Sequence, residues 1–294
     1  MAGKLPGRLR SLGPQSIFRA TAIKHISYHT NDYARSRDWF MDLFGMTCTF
    51  DDGKQAAVTF GNPPRDIYCR AKRENMKVPV IDHWAIAIIN FEAKTVKDTM
   101  ERWGLNPRYD GPAAWNAQDW DGTGTQVAAE FGCFPGSAVG GEYAMPRPTP
   151  EGKIPSGNKA SRPGAWRATA FNHISYGVPN YARSRDFYMD LFGMRIAFED
   201  GLQCSLAFGG PPEDAIYFYK KDDGPFFDHM AISVANFDLD KVEADIKRLG
   251  LTYKPHGDSA WALFDPDGFR VEVCAETGVY PGAAVDPFHQ TRKK

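Results

Sequence analysis

An internal repeat limits the folds open to this chain more than any other feature. Residues 25–53 read HISYHTNDYARSRDWFMDLFGMTCTFDDG, and residues 173–201 read HISYGVPNYARSRDFYMDLFGMRIAFEDG. About two-thirds of these positions are identical, without a gap. The match continues at lower identity in two later pairs of segments: 81–88 with 227–234, and 114–136 with 260–282. Two such copies predict two domains of similar fold.

The repeat also sets the expected domain boundaries. We predict, in chain order, an N-terminal tail (1–19), a first domain (20–136), a linker (137–166), a second domain (167–282) and a C-terminal tail (283–294). The linker is rich in Gly, Pro and Ser, a composition that does not build a core. Each repeated unit has about 115 residues, which is an ordinary domain size.

Each domain divides again into two similar units. In the second domain, the first unit is predicted to contain a strand at HISY, a helix over 181–191 ended by Gly193, and strands at 196–198, 204–208 and 216–219. The second unit is predicted to contain a strand at 230–234, a helix over 239–249, and strands at 260–264 and 270–275. The fold class is therefore α+β, with four βαβββ modules arranged as tandem pairs.

Charge and composition exclude several classes of partner. The formal net charge is −1, from 35 basic and 36 acidic residues, so neither nucleic acid nor a membrane surface is an expected partner. No apolar run reaches the roughly 18 residues of a membrane span, and the N-terminus lacks the apolar stretch of a signal peptide. We therefore expect a cytoplasmic protein. The five cysteines show no CxxC spacing, which argues against a disulfide framework or a cysteine zinc site.

Three residues of the second domain have the chemistry of a metal site. His173, His229 and Glu272 lie on predicted strands, on faces that carry mostly small residues besides them. Two neutral imidazoles and one carboxylate leave about three positions open on an octahedral ion. Fe(II) or Mn(II) suits this donor set best, and zinc, nickel and cobalt remain alternatives. A substrate with two adjacent oxygens would fill the open positions.

The alternative is that these side chains are structural. A single strand histidine is more often a satisfied core residue than a ligand, and Glu272 could instead pair with Arg270 on the same face. Against this, four of the seven histidines begin equivalent strands in the two domains. Two of the four follow an aspartate, Asp82 or Asp228. Recurrence in register favours the metal site.

The motifs HISY with YARSRDFYMDLFGM, FDHMAISV and FDPDGFRVEV resemble those of the vicinal oxygen chelate superfamily. This group includes glyoxalase I, extradiol ring-cleaving dioxygenases and antibiotic-resistance proteins. The resemblance implies that paired modules form a cupped half-barrel around one metal ion in each working domain. In the extradiol enzymes one histidine comes from one module, and a histidine and a glutamate come from the next. His173, His229 and Glu272 match that order, and a homodimer is expected by the same analogy.

The first domain departs from this pattern because Gln126 stands where the second domain has Glu272. His25, His83 and Gln126 form a neutral and weaker donor set for a divalent ion. We therefore expect the first domain to be a scaffold or a lid. A second, weaker metal site stays open, because glutamine is a ligand in some of the glyoxalases that the chain resembles.

Acid–base residues are harder to assign from the sequence. Extradiol enzymes use a further histidine and a tyrosine near the metal, but no histidine lies between His173 and His229. The remaining candidates for a catalytic or supporting role are His256, Tyr217, Tyr219 and Ser175. Each of them also has a plain interpretation as a loop or core residue.

Three functions follow as hypotheses. The first is a metal-dependent enzyme that binds a small substrate through adjacent oxygens, in its oxygen-using form an extradiol-type dioxygenase. The second is a glyoxalase-like isomerase or lyase, in which the metal stabilises an enediolate without oxygen chemistry. The third is a non-catalytic protein that binds a small molecule, like the resistance proteins of the group.

Overall fold

The computed structural model describes residues 17–133, 163–257 and 259–283. Most of both predicted tails and of the predicted linker lies outside these residues. The described part contains two eight-stranded mixed sheets and four helices. The α+β class and the four βαβββ modules are therefore confirmed. No helix within the described ranges is long and apolar enough to cross a membrane.

The first half supplies one sheet and two helices. Its elements are β1 (Ala20–Thr30), α1 (Tyr33–Phe44), β2 (Thr47–Asp51), β3 (Gln55–Phe60), β4 (Arg65–Ala71), β5 (Val80–Ile88), α2 (Ala93–Arg102), β6 (Arg108–Tyr109), β7 (Ala114–Gln118) and β8 (Gly124–Ala128). The strand order is β2-β3-β4-β1-β5-β8-β7-β6. The two modules thus join edge to edge, through the antiparallel pair β1 and β5.

The second half repeats this arrangement. Its elements are β9 (Ala168–Val178), α3 (Tyr181–Phe192), β10 (Arg195–Glu199), β11 (Gln203–Phe208), β12 (Asp214–Lys220), β13 (Phe226–Val234), α4 (Leu239–Arg248), β14 (Tyr253–His256), β15 (Ala260–Phe264) and β16 (Arg270–Cys274). The strand order is β10-β11-β12-β9-β13-β16-β15-β14. Here β9 and β13 form the central antiparallel pair, and β16 lies parallel to β13.

The strands are longer than the sequence pattern predicted. β9 begins at Ala168, five residues before His173, and β13 begins at Phe226 rather than Met230. Ten of the eleven residues of β9 are buried, so both faces pack and the alternation that marks a half-exposed strand is absent. The short edge strand β14 was not predicted, because its exposed residues carry no apolar pattern.

The helices begin and end where their capping residues stand. The Asn180 side chain accepts a hydrogen bond from the Arg183 N–H at the start of α3. Gly193 ends the helix at φ 68°, a left-handed conformation that glycine adopts without strain. Asp32 and Gly45 have the same roles in α1. The repeat therefore specifies the local ends of each helix, as well as its buried face.

The two halves pack against each other through buried polar contacts and a shared apolar core. Asp214, which is buried, accepts a hydrogen bond of 2.6 Å from the Ile23 N–H and forms an ion pair with Arg65 of the first half. The hydroxyl of Tyr188, on α3, lies 2.6 Å from Thr125 Oγ1 and donates to Asp119 of the first half at 3.1 Å. One continuous apolar core spans both halves. Side chains of α3 thus pack against the sheet of the first half as well as against their own.

Candidate metal centre

Three adjacent strands of the second sheet bring His173, His229 and Glu272 together, and we call these residues the second-half cluster. His173 on β9 and Glu272 on β16 are both register partners of Ala231, which lies between them on β13. His229 lies two residues before Ala231 on the same strand and therefore faces the same side of the sheet. The small Ala231 side chain leaves space between the three longer ones.

The donor atoms of the second-half cluster converge within coordination distance of a common point. Nε2 of His173 lies 3.0 Å from Nε2 of His229. Nε2 of His229 lies 3.4 Å from one Glu272 oxygen, and Nε2 of His173 lies 3.8 Å from the other. One donor atom from each residue lies within 4.8 Å of the other two. The side chains come together as the sequence predicted.

Neighbouring oxygens orient both imidazoles. Nδ1 of His173 lies 3.0 Å from Oδ1 of Asn172, and Nδ1 of His229 lies 2.8 Å from Oδ2 of Asp228. Arg270 Nη2 also lies close to Nδ1 of His229, but it donates to the same Asp228 oxygen at 2.7 Å. We therefore assign the His229 proton to Nδ1, because the Asp228 carboxylate accepts from both groups. In both rings Nε2 is then unprotonated, and its lone pair points into the cluster.

The Glu272 carboxylate shows most clearly that a cation fits here. Its side chain is 0% exposed, and neither oxygen has a hydrogen-bond partner among the described residues. Burial raises the pKa of Glu272 to about 8, although the charge of Arg270 acts to lower it. Burial also lowers the pKa of His229 to about 4, against the opposing effect of Asp228. Two neutral imidazoles and a carboxylate without a hydrogen-bond partner in the described part of the chain are the set that a divalent ion completes.

The structural alternatives account for less of this geometry. Arg270 Nε lies 3.7 Å from Glu272, a longer approach than the 2.7 Å contact of its Nη2 with Asp228. The predicted pairing of Arg270 with Glu272 is thus the weaker of its two contacts. If His173 and His229 were ordinary core residues, two Nε2 lone pairs would face each other at 3.0 Å without a donor between them.

The four predicted acid–base candidates differ in their distance from the cluster. His256, on the edge strand β14, has Nε2 3.3 Å from Glu272 Oε1, and its side chain is 43% exposed. Ser175 is a register partner of His229, and its buried hydroxyl has no hydrogen-bond partner among the described residues. Tyr217 instead donates to Gln203, away from the cluster.

Tyr219 packs beside Gly177, where an added Cβ would lie 3.0 Å from the tyrosine Cζ. Burial raises the pKa of Tyr219, and the nearby charge of Asp228 adds to that rise. No contact between Tyr219 and the donor atoms is found among the described residues. Of the four candidates, His256 is the one that reaches a donor atom of the cluster with a titratable nitrogen.

Sequence reasoning missed two neighbours of the cluster. Asn172, which orients His173, is replaced by Lys24 in the repeat, so the comparison of halves gave no signal for it. The Tyr280 ring lies 6.0 Å from the His173 ring and comes from the segment after the last strand. The pattern of strands and helices carried no information about where that segment lies.

The equivalent residues of the first half, the first-half cluster (His25, His83 and Gln126), also meet. Nε2 of His25 lies 3.1 Å from Nε2 of His83, and Asp82 lies 2.7 Å from Nδ1 of His83. Gln126 Nε2 donates to Asp110 at 2.7 Å and lies 3.5 Å from Nε2 of His83. The Asp110 carboxylate requires a donor, which fixes this amide orientation. The histidines of this cluster therefore face an amide nitrogen rather than an oxygen.

A cavity of about 260 Å³ lies beside His83 and not at the second-half cluster, whose side chains are almost completely buried. The cavity and the donor atoms thus indicate different locations for the functional site. The donor atoms make the second-half cluster the candidate metal centre, because ligand type and convergence determine metal binding.

The described part of the chain thus combines paired βαβββ modules with a two-histidine, one-glutamate cluster on three adjacent strands. Residues 170–273 match the Glyoxalase/Bleomycin resistance protein/Dioxygenase superfamily. The second half of the chain is therefore a domain of this superfamily, as its motifs predicted. A comparison with curated proteins gave no match.

Solved structures of two kinds share the whole two-domain fold. A homoprotocatechuate 2,3-dioxygenase variant from Brevibacterium fuscum has a TM-score of 0.66 at 16% identity, over 94% of this chain and 76% of that one. The Mn(II)-bound glyoxalase from Novosphingobium aromaticivorans has a TM-score of 0.65 at 16% identity, over 94% and 87%. The 2,3-dioxygenase LapB from Pseudomonas sp. KL28 has a TM-score of 0.66 at 11% identity, over 92% and 96%. At these identities the likeness establishes the fold alone.

Proposed function

We propose that this chain is a metal-dependent enzyme that binds a small substrate through two adjacent oxygens at the second-half cluster. The observation that carries the proposal is the buried Glu272 carboxylate, which has no hydrogen-bond partner among the described residues and faces two Nε2 lone pairs. A buried carboxylate without compensation is costly, whereas a divalent cation at this point satisfies all three side chains at once.

The donor set favours Fe(II) or Mn(II) as the ion, with zinc, nickel or cobalt as alternatives. His173, His229 and Glu272 would hold it, through two nitrogens and one carboxylate. When bound, the ion supplies positive charge and open coordination positions for two substrate oxygens. The Mn(II) in the glyoxalase of similar fold supports this choice.

The surrounding residues would prepare the site and move protons. Asn172 and Asp228 hold the two imidazoles so that Nε2 faces inward. His256 is half-exposed and lies 3.3 Å from Glu272, so its Nε2 would accept a proton from a substrate hydroxyl and exchange it with solvent. Burial of the three donor side chains keeps bulk water from competing with the substrate.

For the reaction, we propose extradiol-type cleavage of a catechol-like substrate. The two-domain dioxygenases of similar fold support this class. His256 would serve as the proton carrier, since no histidine lies between His173 and His229. The test is oxygen uptake with a panel of catechols, after anaerobic loading with Fe(II). We expect uptake with at least one catechol and none with Glu272→Gln. Stoichiometric metal binding without uptake on any diol would refute the dioxygenase assignment.

The second candidate is a glyoxalase-like isomerase or lyase. The observation that favours it is the glyoxalase of similar fold, which matches as much of this chain as the dioxygenase variant does. Turnover under strict anaerobiosis, with cobalt or nickel in place of iron, would establish this class and exclude the first.

The third candidate is a binding protein without catalysis, which the near-complete burial of the donor side chains favours. It requires tight ligand binding that survives chelation and is unchanged in His229→Ala. Loss of affinity in that variant would contradict it.

A further inference from the structure

One row of residues crosses the sheet of the second half through the metal centre. On five adjacent strands, each residue of this row is the register partner of the next, in the order Glu272, Ala231, His173, Ala215 and Ala207. Register partners point to the same face of a sheet. Two donor residues of the second-half cluster therefore share one face with a line of alanines.

The segment that follows the last strand packs along this row, and we call residues 275–283 the strap. Val279 packs against a cluster of small buried residues that includes Ala231. Tyr280 is buried and packs with the two alanines of the row on β11 and β12. Its ring lies 6.0 Å from the ring of His173. The strap thus covers the row on both sides of that histidine.

The far end of the strap is held at the edge of the sheet. The hydroxyl of Ser205, on β11, donates to the Pro281 carbonyl oxygen at 2.6 Å. Gly282 has a φ of 78°, and a Cβ at this position would lie 2.1 Å from the carbonyl oxygen of Ala197 on β10. The close approach therefore admits only glycine. This contact lies three strands away from β9 and its histidine.

The near end of the strap is joined to His173 through Asn172. The pairing of β9 with β13 shifts at Asn172, as in a β-bulge. Its Nδ2 donates to the carbonyl oxygens of Ala275 and Glu276, both at 3.3 Å. Because carbonyl oxygens only accept, the amide oxygen must be the atom that faces His173 Nδ1, at 3.0 Å. The strap carbonyls therefore keep the histidine proton on Nδ1 and leave the Nε2 lone pair for an ion.

The first half has a similar bulge but a different residue in it. Lys24 occupies the position of Asn172 and donates to Asp66 at 3.0 Å and to the Pro64 carbonyl oxygen at 2.7 Å. An ammonium group cannot accept a hydrogen bond from a histidine. Orientation of the first histidine by an amide is thus particular to the half that carries the carboxylate donor.

We infer that the strap is a positioning element of the metal centre. Its closure orients His173 for an ion, and an ion in the centre stabilises the closed strap. The inference rests on the proposed function at the second-half cluster. When the strap is released, the Asn172 amide loses its two carbonyl acceptors and can turn its nitrogen toward His173, which moves the histidine proton to Nε2. By linkage, the factor that the strap adds to metal affinity is also the factor that the metal adds to strap closure.

Gly282→Ala tests this coupling because it displaces the far end of the strap without removing a side chain. Loss of the orientation of a metal-bound histidine costs about 10–100-fold in affinity, and we expect Gly282→Ala to weaken Mn(II) binding about ten-fold. Gly250→Ala is the matched control. Gly250 has a similar φ of 66°, but no described atom lies within 4 Å of an added Cβ, so Mn(II) affinity should stay unchanged. Asn172→Ala, at the near end, should weaken binding by about ten-fold or more.

The second readout is hydrogen exchange of the strap amides, measured by mass spectrometry on the full chain. Saturating Mn(II) should slow this exchange about ten-fold in the wild type and leave α2 of the first half unchanged. The inference is overturned if Mn(II) leaves strap exchange unchanged, or if Gly282→Ala binds Mn(II) as tightly as Gly250→Ala does.

Failure of the wild type to bind Mn(II) would instead refute the proposed function. The strap is then judged in the metal-free protein from the link between Asn172 and its carbonyl acceptors. Asn172→Ala should speed strap exchange, whereas Asn180→Ala, which removes the cap of α3, should not. Equal exchange in these two variants would overturn the inference.

Discussion

Replacing Asp228 with alanine tests how the metal centre is prepared. The Asp228 carboxylate accepts from His229 Nδ1 at 2.8 Å and from Arg270 at 2.7 Å. Without it, the His229 ring loses the acceptor that keeps its proton on Nδ1. Arg270 Nη2, which lies beside that nitrogen, then favours the other tautomer, with the proton on Nε2. That tautomer offers no lone pair to an ion in the cluster.

The expected loss follows from these contacts. Removing a residue that orients a metal-bound histidine costs about 10–100-fold in metal affinity, which corresponds to about 1.4–2.8 kcal/mol. We expect Asp228→Ala to fall in the upper part of this range, because two groups lose their shared acceptor. Asp228→Asn keeps an acceptor oxygen and should lose less. The assay is competition for Mn(II) between the protein and a chromogenic chelator of known affinity.

The first half supplies the matched control for this experiment. Asp82 lies 2.7 Å from His83 Nδ1, the same relation as in the second half. Asp82→Ala should leave the Mn(II) affinity of the chain unchanged, because that histidine belongs to the cluster without a carboxylate. Equal losses in the two alanine variants, or wild-type affinity in Asp228→Ala, would refute this account of the centre.

The remaining predictions concern stability and proton transfer. Asp214→Asn leaves buried Arg65 without its anion and should lower the free energy of unfolding, measured in urea, by about 3–5 kcal/mol. Glu213→Gln breaks the exposed pair with Arg195 and should lower that free energy by less than about 1 kcal/mol. Similar losses in the two variants would contradict this ranking. Mn(II) at 1,000 times its dissociation constant should raise the stability of the wild type by about 4 kcal/mol, and the absence of a rise would refute binding to the folded state. His256→Ala should lower kcat at least about 100-fold with unchanged metal content, and unchanged kcat would exclude it as the proton carrier.

The repeat predicted the donor cluster because its three residues have local signals. Strand alternation predicts which face of its own strand His173 occupies, and it does the same for Glu272. The register of the repeat places His229 at the start of the equivalent strand in the next module. In the structure, β13 pairs antiparallel with β9 and parallel with β16, which brings the three side chains together. In paired strands, the position of a residue determines the face to which its side chain points. The order of elements and the helix ends were predictable for the same reason.

Contacts between distant segments had no such signal. The apolar face of α3 indicates that it is buried, but not that Tyr188 reaches Thr125 of the first half. Likewise, the sequence placed Arg270 on the face of Glu272, but its preference for Asp228 depends on the spacing of two strands. The extent of β9 was underestimated because both of its faces are buried, which removes the alternation that marks a strand.

Metal content per chain tests the central assignment most directly. Wild type, Glu272→Gln and Gln126→Ala would each be loaded anaerobically with Fe(II) or Mn(II), desalted and analysed for bound metal. We expect about one ion per chain in the wild type and in Gln126→Ala, and almost none in Glu272→Gln. A full ion in Glu272→Gln, or loss of the ion in Gln126→Ala, would contradict a single centre at His173, His229 and Glu272.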